Sequence, residues 1–254
     1  MSTPRVLVLG GTQEARVLAD ALVAGGIDAI LSLAGRTSAP AASAARARSG
    51  GFGGAEGLAA YLRAESIAAC IDATHPFAAR MSANTVAACT AAGVPRLAVL
   101  RPEWTPVDGD RWIFVDDAAK AARLLPAMGR RIFVAFADGL APFAALDLDF
   151  LVRRAEPGPA EGLPGAEVLV QRGPFARDAE RALFAARKID AIVAKASGGD
   201  GARAKLDAAR NLGLPVVLLR RPTPPPGPYA GGTNEALGWV RATLGLDPGA
   251  PSSI

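Results

Sequence analysis

Apolar and polar positions along this chain change period repeatedly. Short runs of consecutive Val, Ile and Leu give way to stretches in which Ala and Leu recur at helical spacing, and then the runs return. A strand buried on both faces is apolar at successive positions, whereas a crossover helix is apolar on one stripe, so the alternation predicts an α/β fold with mainly parallel sheets. Strands are expected over 5–9, 28–33, 68–72 and 96–100, with helices over 14–24, 55–64 and 77–92 between them. A second series follows, with strands over 112–115, 131–135, 150–153, 167–171, 191–194 and 215–219. Its helices are expected over 117–125, 141–146, 176–188, 202–212 and 234–244.

Between the two series, Arg101-Pro102-Glu103-Trp104-Thr105-Pro106 breaks the rhythm with two prolines. Such a break is where one folding unit ends and another begins. The pattern therefore predicts two Rossmann-like domains, 1–102 and 103–246, with a cofactor and substrate cleft between them and a flexible tail over 247–254. The Pro-rich run over 222–228 reads as a stiff extended connector to the last helix, not as a site.

The first strand gives the pattern a chemical meaning. Arg5 to Leu9 breaks into Gly10-Gly11-Thr12-Gln13-Glu14 and then a helical pattern. A glycine turn lets the backbone approach a ligand closely, and the N–H groups of the first helical turn point at an anion, so the turn is suited to phosphate. At the end of the second strand a dinucleotide-binding fold holds the ribose 2′-hydroxyl with a carboxylate, about 20 residues past the glycines. This chain carries Ser32-Leu33-Ala34-Gly35-Arg36 there. A hydroxyl and a guanidinium suit a 2′-phosphate, which points to NADP and not NAD.

Three further turns fall at the ends of expected strands, the edge where open α/β sheets bind ligands. Asp72-Ala73-Thr74-His75-Pro76-Phe77-Ala78 brings the single histidine of the chain to a helix start, where Thr74 or His75 could equally serve as a cap. Ala194-Lys195-Ala196-Ser197-Gly198-Gly199 repeats the strand and glycine-turn logic with a cation and a hydroxyl, and Lys205 follows in the next helix. Gln171-Arg172-Gly173-Pro174-Phe175 ends another strand with donors suited to carboxylates. Ser49-Gly50-Gly51-Phe52-Gly53-Gly54 is either a flap over a cofactor or a surface connection.

Composition narrows the field. At 254 residues and 50% hydrophobic content the chain can bury a large core. One histidine and two cysteines, Cys70 and Cys89, exclude a multi-histidine metal site, and no metal is expected. The net charge of +4 comes mostly from scattered arginines; lysine occurs only at 120, 188, 195 and 205. Scattered arginines with few aromatics argue against nucleic acid and favour a small polyanion. No apolar run reaches membrane-spanning length and the first strand begins without a leader pattern, so a cytoplasmic protein is expected. The nucleophile-elbow and phosphate-loop patterns are absent, as is the Tyr-x-x-x-Lys pair of short-chain dehydrogenases.

Taken in order, G-G-T-x-E-A-R at 10–16, S-L-A-G-R at 32–36, G-G-F-G-G at 50–54, D-A-T-H-P-F-A at 72–78 and A-K-x-S-G-G at 194–199 resemble the precorrin-6A reductase family of cobalamin biosynthesis. The resemblance implies an NADPH-dependent reduction of a ring double bond, turning precorrin-6A, a polycarboxylate macrocycle, into precorrin-6B. Gly10, Gly11, Thr12 and Glu14 would hold the cofactor's phosphates or ribose, and Ser32 and Arg36 its 2′-phosphate. Thr74, His75 and Phe77 would lie near the nicotinamide, with His75 the candidate proton donor. Lys195, Ser197 and Gly198 would also touch the cofactor. Arg16, Gln171, Arg172 and Lys205 are the candidate substrate contacts. The alternatives are the cobalt-containing substrate, or a non-catalytic NADP-binding module.

Overall fold

Valines and leucines at successive positions of the first strand point to opposite sides of its sheet, and each side needs a helical layer. The computed structural model describes residues 3–35 and 42–246 and shows those layers. In β1 (Arg5–Leu9), Val6 and Val8 pack with Leu18 and Leu22 of α1 (Gln13–Ala24). Leu7 and Leu9 face the other way, onto Leu58 and Leu62 of α2 (Ala55–Ala64) and Ala88 and Cys89 of α3 (Ala79–Ala92). The sheet is completed by β2 (Asp28–Leu33), β3 (Arg46–Ser49), β4 (Ile67–Asp72) and β5 (Arg96–Val99), with β12 (Tyr229–Ala230) arriving from far along the chain. Its order is β12-β5-β4-β1-β2-β3, and every pairing is parallel.

The second unit repeats the plan. Its strands are β6 (Trp112–Val115), β7 (Arg131–Val134), β8 (Asp149–Arg154), β9 (Glu167–Val170), β10 (Ala191–Lys195) and β11 (Val216–Leu219). They run in the order β6-β11-β10-β7-β8-β9, again all parallel. Phe133, Leu151, Ile192 and Leu218 form one core with Phe184 of α5 (Arg177–Ala186) and Leu206 and Ala209 of α6 (Ala204–Leu212). Helix α4 (Ala118–Leu124), capped by Asp117, covers β6 and β11 on the other face.

Four expectations change. The first unit takes the chain up to Arg101 and again from Pro222, while the second is Pro102–Arg221, so the second unit does not run to residue 246. The reason lies in the packing: Tyr229 and Ala230 pair with Ala98 and Val99, and Ala236 and Val240 of α7 (Thr233–Thr243) join the core under α1. Strands β3 and β12 lie outside the expected set, the one polar, the other two residues long. The helix expected over 141–146 is a single 3₁₀ turn, Ala141–Phe143. The segment after Pro222 also does more than connect, because Pro222 to Pro225 line a cavity with Asp72, Thr74, His75 and Ser82. The tail over 247–254 lies outside the described residues.

Candidate functional site

In the first sheet, the chain runs from β1 outward through β2 to β3 and then returns to place β4 on the other side of β1. The loops after β1 and β4 meet at that reversal before α1 and α3 run to opposite faces, which is where open α/β sheets bind ligands. Gly10 sits at the reversal with φ +133, and a Cβ there would lie 2.5 Å from the Ala73 carbonyl oxygen. Only glycine allows the two turns to come this close.

Thr12 joins the same two turns. Its hydroxyl donates to the Ala73 carbonyl at 2.9 Å and accepts from the Ala15 N–H at 3.1 Å, which makes it the N-cap of α1. With Ala15 satisfied by the cap, the N–H groups of Gln13 and Glu14 have no acceptor within the helix and face the turn. One carboxylate oxygen of Glu14 meets Arg101 Nε at 3.1 Å; the other, Oε2, is buried with no hydrogen-bond partner. A buried carboxylate oxygen without a donor suits a ligand hydroxyl. Arg16, one turn further on, lies 3.9 Å from Asp20.

Ser32 is buried at the end of β2, directly across from Arg48 in the β2–β3 register. Arg48 Nη1 donates to Ser32 Oγ at 2.8 Å and to the Gly50 carbonyl at 3.0 Å, and Nη2 reaches the Gly51 carbonyl at 3.3 Å. Its guanidinium lies 3.9 Å from the centre of the Phe52 ring, and that ring meets Tyr61 edge-on at 5.2 Å. The glycine-rich loop is thus folded over a cation that also touches the β2 edge. Arg48 belongs with the candidate residues and escaped the sequence reading, because the polar Arg46–Ser49 stretch has no apolar run to mark it as a strand. Arg36 lies outside the described residues.

At the end of β4, the buried Asp72 organises the histidine turn. Its Oδ1 accepts from the Thr74 hydroxyl at 2.6 Å and from the Thr74 N–H at 3.1 Å. His75 Nδ1 accepts from the Phe77 N–H at 3.3 Å, so in the neutral ring the proton sits on Nε2. The two rings lie 5.8 Å apart, centre to centre. Gly10, Gly11, Thr12, Glu14, Ser32, Thr74, His75 and Phe77 therefore share one edge of one sheet, with the Pro222–Pro225 wall beside the histidine.

The second sheet has its own reversal, between β7 and β10. Lys195 ends β10 there, its ammonium 5.1 Å from the centre of the Phe136 ring, and the buried Ser197 donates its N–H to the Lys195 carbonyl at 2.7 Å. Gly198 has φ +70. Gly199 accepts from Trp104 Nε1 at 2.6 Å, and the Lys205 ammonium donates to the Ala202 carbonyl at 2.5 Å while lying 5.2 Å from the Trp104 ring. Gln171 and Arg172 follow β9 at the same edge, and Arg172 donates to the Ala155 carbonyl at 3.0 Å and pairs with Glu156. Among the described residues there is no cluster of three or more His, Cys, Asp or Glu that could hold a metal, and no helix long and apolar enough to cross a membrane.

Comparison with known proteins identifies the family. The family model for precorrin-6x reductase CbiJ/CobK matches residues 5–241. The precorrin-6A reductase of Rhodococcus erythropolis is 47% identical over 240 residues, spanning 93% of this chain and 97% of that protein. A cobalt-precorrin-6A reductase from Salmonella typhimurium is 30% identical over 241 residues, spanning 88% of this chain and 90% of its own length. Among solved structures, a CobK precorrin-6A reductase superposes with a TM-score of 0.91 at 43% identity, covering 99% of this chain and all of that one.

Proposed function

From the premise that the chain belongs to the precorrin-6x reductase CbiJ/CobK family and is an oxidoreductase, we propose that it reduces a ring double bond of precorrin-6A, giving precorrin-6B, with NADPH as the reductant. The observation that carries this reading is the reversal at β1, where the Gly10 turn, the start of α1 and the His75 turn converge on one sheet edge.

The residues present fit the cofactor. The Gly10 and Gly11 backbone and the N–H groups of Gln13 and Glu14 suit a pyrophosphate, and the unpartnered Glu14 Oε2 suits a ribose hydroxyl. Ser32 and Arg48 offer a hydroxyl and a guanidinium at the end of β2, and Arg36 adds a second cation in sequence. When bound, NADPH supplies the hydride. The protein's part is to hold the reacting faces together and to deliver a proton to the neighbouring carbon. Asp72 fixes the Thr74 turn and the Phe77 N–H orients the neutral His75 ring; to act as the acid the ring first takes up a proton at Nδ1, releasing the Phe77 N–H, and the imidazolium then gives its Nε2 proton and returns to the neutral form. Scattered arginines, together with Lys195 and Lys205 in the second unit, suit a polycarboxylate substrate.

The metal-free ring is favoured over the cobalt-containing one, because identity is 47% to a relative named for the former and 30% to one named for the latter. The test is an anaerobic assay with NADPH and precorrin-6A, following nicotinamide absorbance and the ring spectrum together. Loss of nicotinamide absorbance with a matching change in the ring supports the reading; two unchanged spectra at saturating protein would leave only a non-catalytic NADP-binding module. Cobalt-precorrin-6A as the sole productive substrate would reverse the choice of ring.

A further inference from the structure

The end of β8 and the loop after β9 exchange arginines. Arg153, near the end of β8, turns its guanidinium toward α5, where Nη1 and Nη2 donate to the two carboxylate oxygens of Glu180 at 2.8 and 2.7 Å. Both residues are almost fully buried, at 7% and 2% exposure. The guanidinium lies between two rings, 4.8 Å from the centre of Phe133 and 4.1 Å from that of Phe175. Phe133 belongs to the core, whereas Phe175 belongs to the loop after β9. In the opposite direction, Arg172 of that loop reaches the Ala155 carbonyl and Glu156 in the loop after β8. The Gln171 N–H adds a 2.8 Å bond to the Arg154 carbonyl.

This buried pair is an expensive way to fill a core. Apolar residues of similar volume commonly do as well or better for stability, so the charge calls for another use. A guanidinium has what an apolar side chain lacks, a flat face for an aromatic ring and a fork that Glu180 holds in one plane. Phe175 is also the one half-buried residue in a stretch, 171–176, whose other members are exposed. A Cβ at Gly173 would lie 3.3 Å from the Phe175 ring, so the loop folds closely around that ring.

We propose that Arg153 is a positioning residue for substrate recognition: through Phe175 it holds the Gln171–Phe175 loop, already tied back by Arg172, in the shape that presents the exposed Gln171 side chain to the carboxylates of the macrocycle. This rests on the reading of precorrin-6A as substrate. Arg153 touches neither substrate nor cofactor; its effect passes through a ring that it stacks against.

The test compares wild type with Phe175→Ala, Phe175→Tyr and Arg153→Lys in steady-state assays, varying precorrin-6A and NADPH separately, with thermal melts alongside. Phe175→Ala is expected to raise KM for the macrocycle about fivefold to tenfold, with kcat and KM for NADPH nearly unchanged. Phe175→Tyr restores the wild-type value, and Arg153→Lys, which keeps the charge but loses the flat fork, behaves like Phe175→Ala. Should Arg153→Lys fail to fold, the two Phe175 variants decide alone. An unchanged KM for the macrocycle in a folded Phe175→Ala protein overturns the proposal, as does an equal rise in both KM values. A wild-type protein that does not reduce precorrin-6A fails at the earlier step, and the proposal falls with the substrate.

Discussion

Arg48 donates to Ser32 across the β2–β3 register, and its guanidinium is at the same time the surface on which Phe52 rests. The cation at the β2 edge and the fold of the glycine-rich loop are therefore one arrangement. Arg48→Ala should weaken NADPH binding by about 1–2 kcal/mol and NADH binding by much less, as expected for a charge-assisted contact to phosphate. Arg36→Ala should cost NADPH on the order of 2 kcal/mol with NADH nearly unaffected. Titration of each variant with both cofactors checks this, and an equal loss for NADH and NADPH would assign the arginine to the fold alone.

Gly10 allows no substitute. Alanine would meet both the positive φ and the Ala73 carbonyl at 2.5 Å. Gly10→Ala is expected to destabilise the protein by about 2–4 kcal/mol and to abolish NADPH binding even where the chain remains folded. Urea denaturation and cofactor titration measure the two effects; wild-type stability and affinity would show that the turns can separate at no cost.

His75 is held by its Nδ1, so a replacement that keeps the turn should separate chemistry from binding. His75→Asn is expected to lower kcat by about a hundredfold or more while NADPH affinity stays within about twofold, in line with the loss of a general acid. A kcat equal to wild type would pass the proton to water or to a substrate carboxyl.

Breaking the Arg153–Glu180 pair from one side leaves a buried charge without its partner. Glu180→Ala should cost about 3–5 kcal/mol, whereas Arg153→Met combined with Glu180→Leu should recover most of it. Equilibrium unfolding of the three proteins tests this, and a double variant no better than the single one would mean that the pair itself supplies the stability.

Cys70 and Cys89 face each other in the layer between the first sheet and α3. The neighbouring Cys89 thiol, together with burial, pushes the Cys70 thiol well above its ordinary range. A small alkylating reagent at mildly alkaline pH should leave Cys70 unlabelled in the folded protein and label both thiols in denaturant, as mass spectrometry of the peptides would show. Native-state labelling of Cys70 would contradict that environment.

What the sequence revealed follows from burial. Strands β1, β2, β10 and β11 lie inside their sheets and are strongly apolar, and a run such as Val6 to Leu9 admits little else. Strand β3 carries Arg46, Arg48 and Ser49 because it is an edge strand, and its place depends on register with β2, which no local pattern encodes. The same holds for Arg48, whose role depends on facing Ser32. The Gly10 and His75 turns were legible because glycine and histidine are chemically distinct where they stand. The return of the chain to the first sheet after Pro222 was not, since Tyr229 and Ala230 acquire meaning only by pairing with Ala98 and Val99.

That return sets an order of assembly. The first sheet lacks its β12 edge and its α7 cover until the whole of the second unit has been made, so the earliest-synthesised residues wait for the latest. During synthesis, the second unit can finish folding while the first unit is still incomplete. A chain broken off near Arg221 would thus spare the later half and damage the earlier one, the reverse of what a linear pair of domains would suffer.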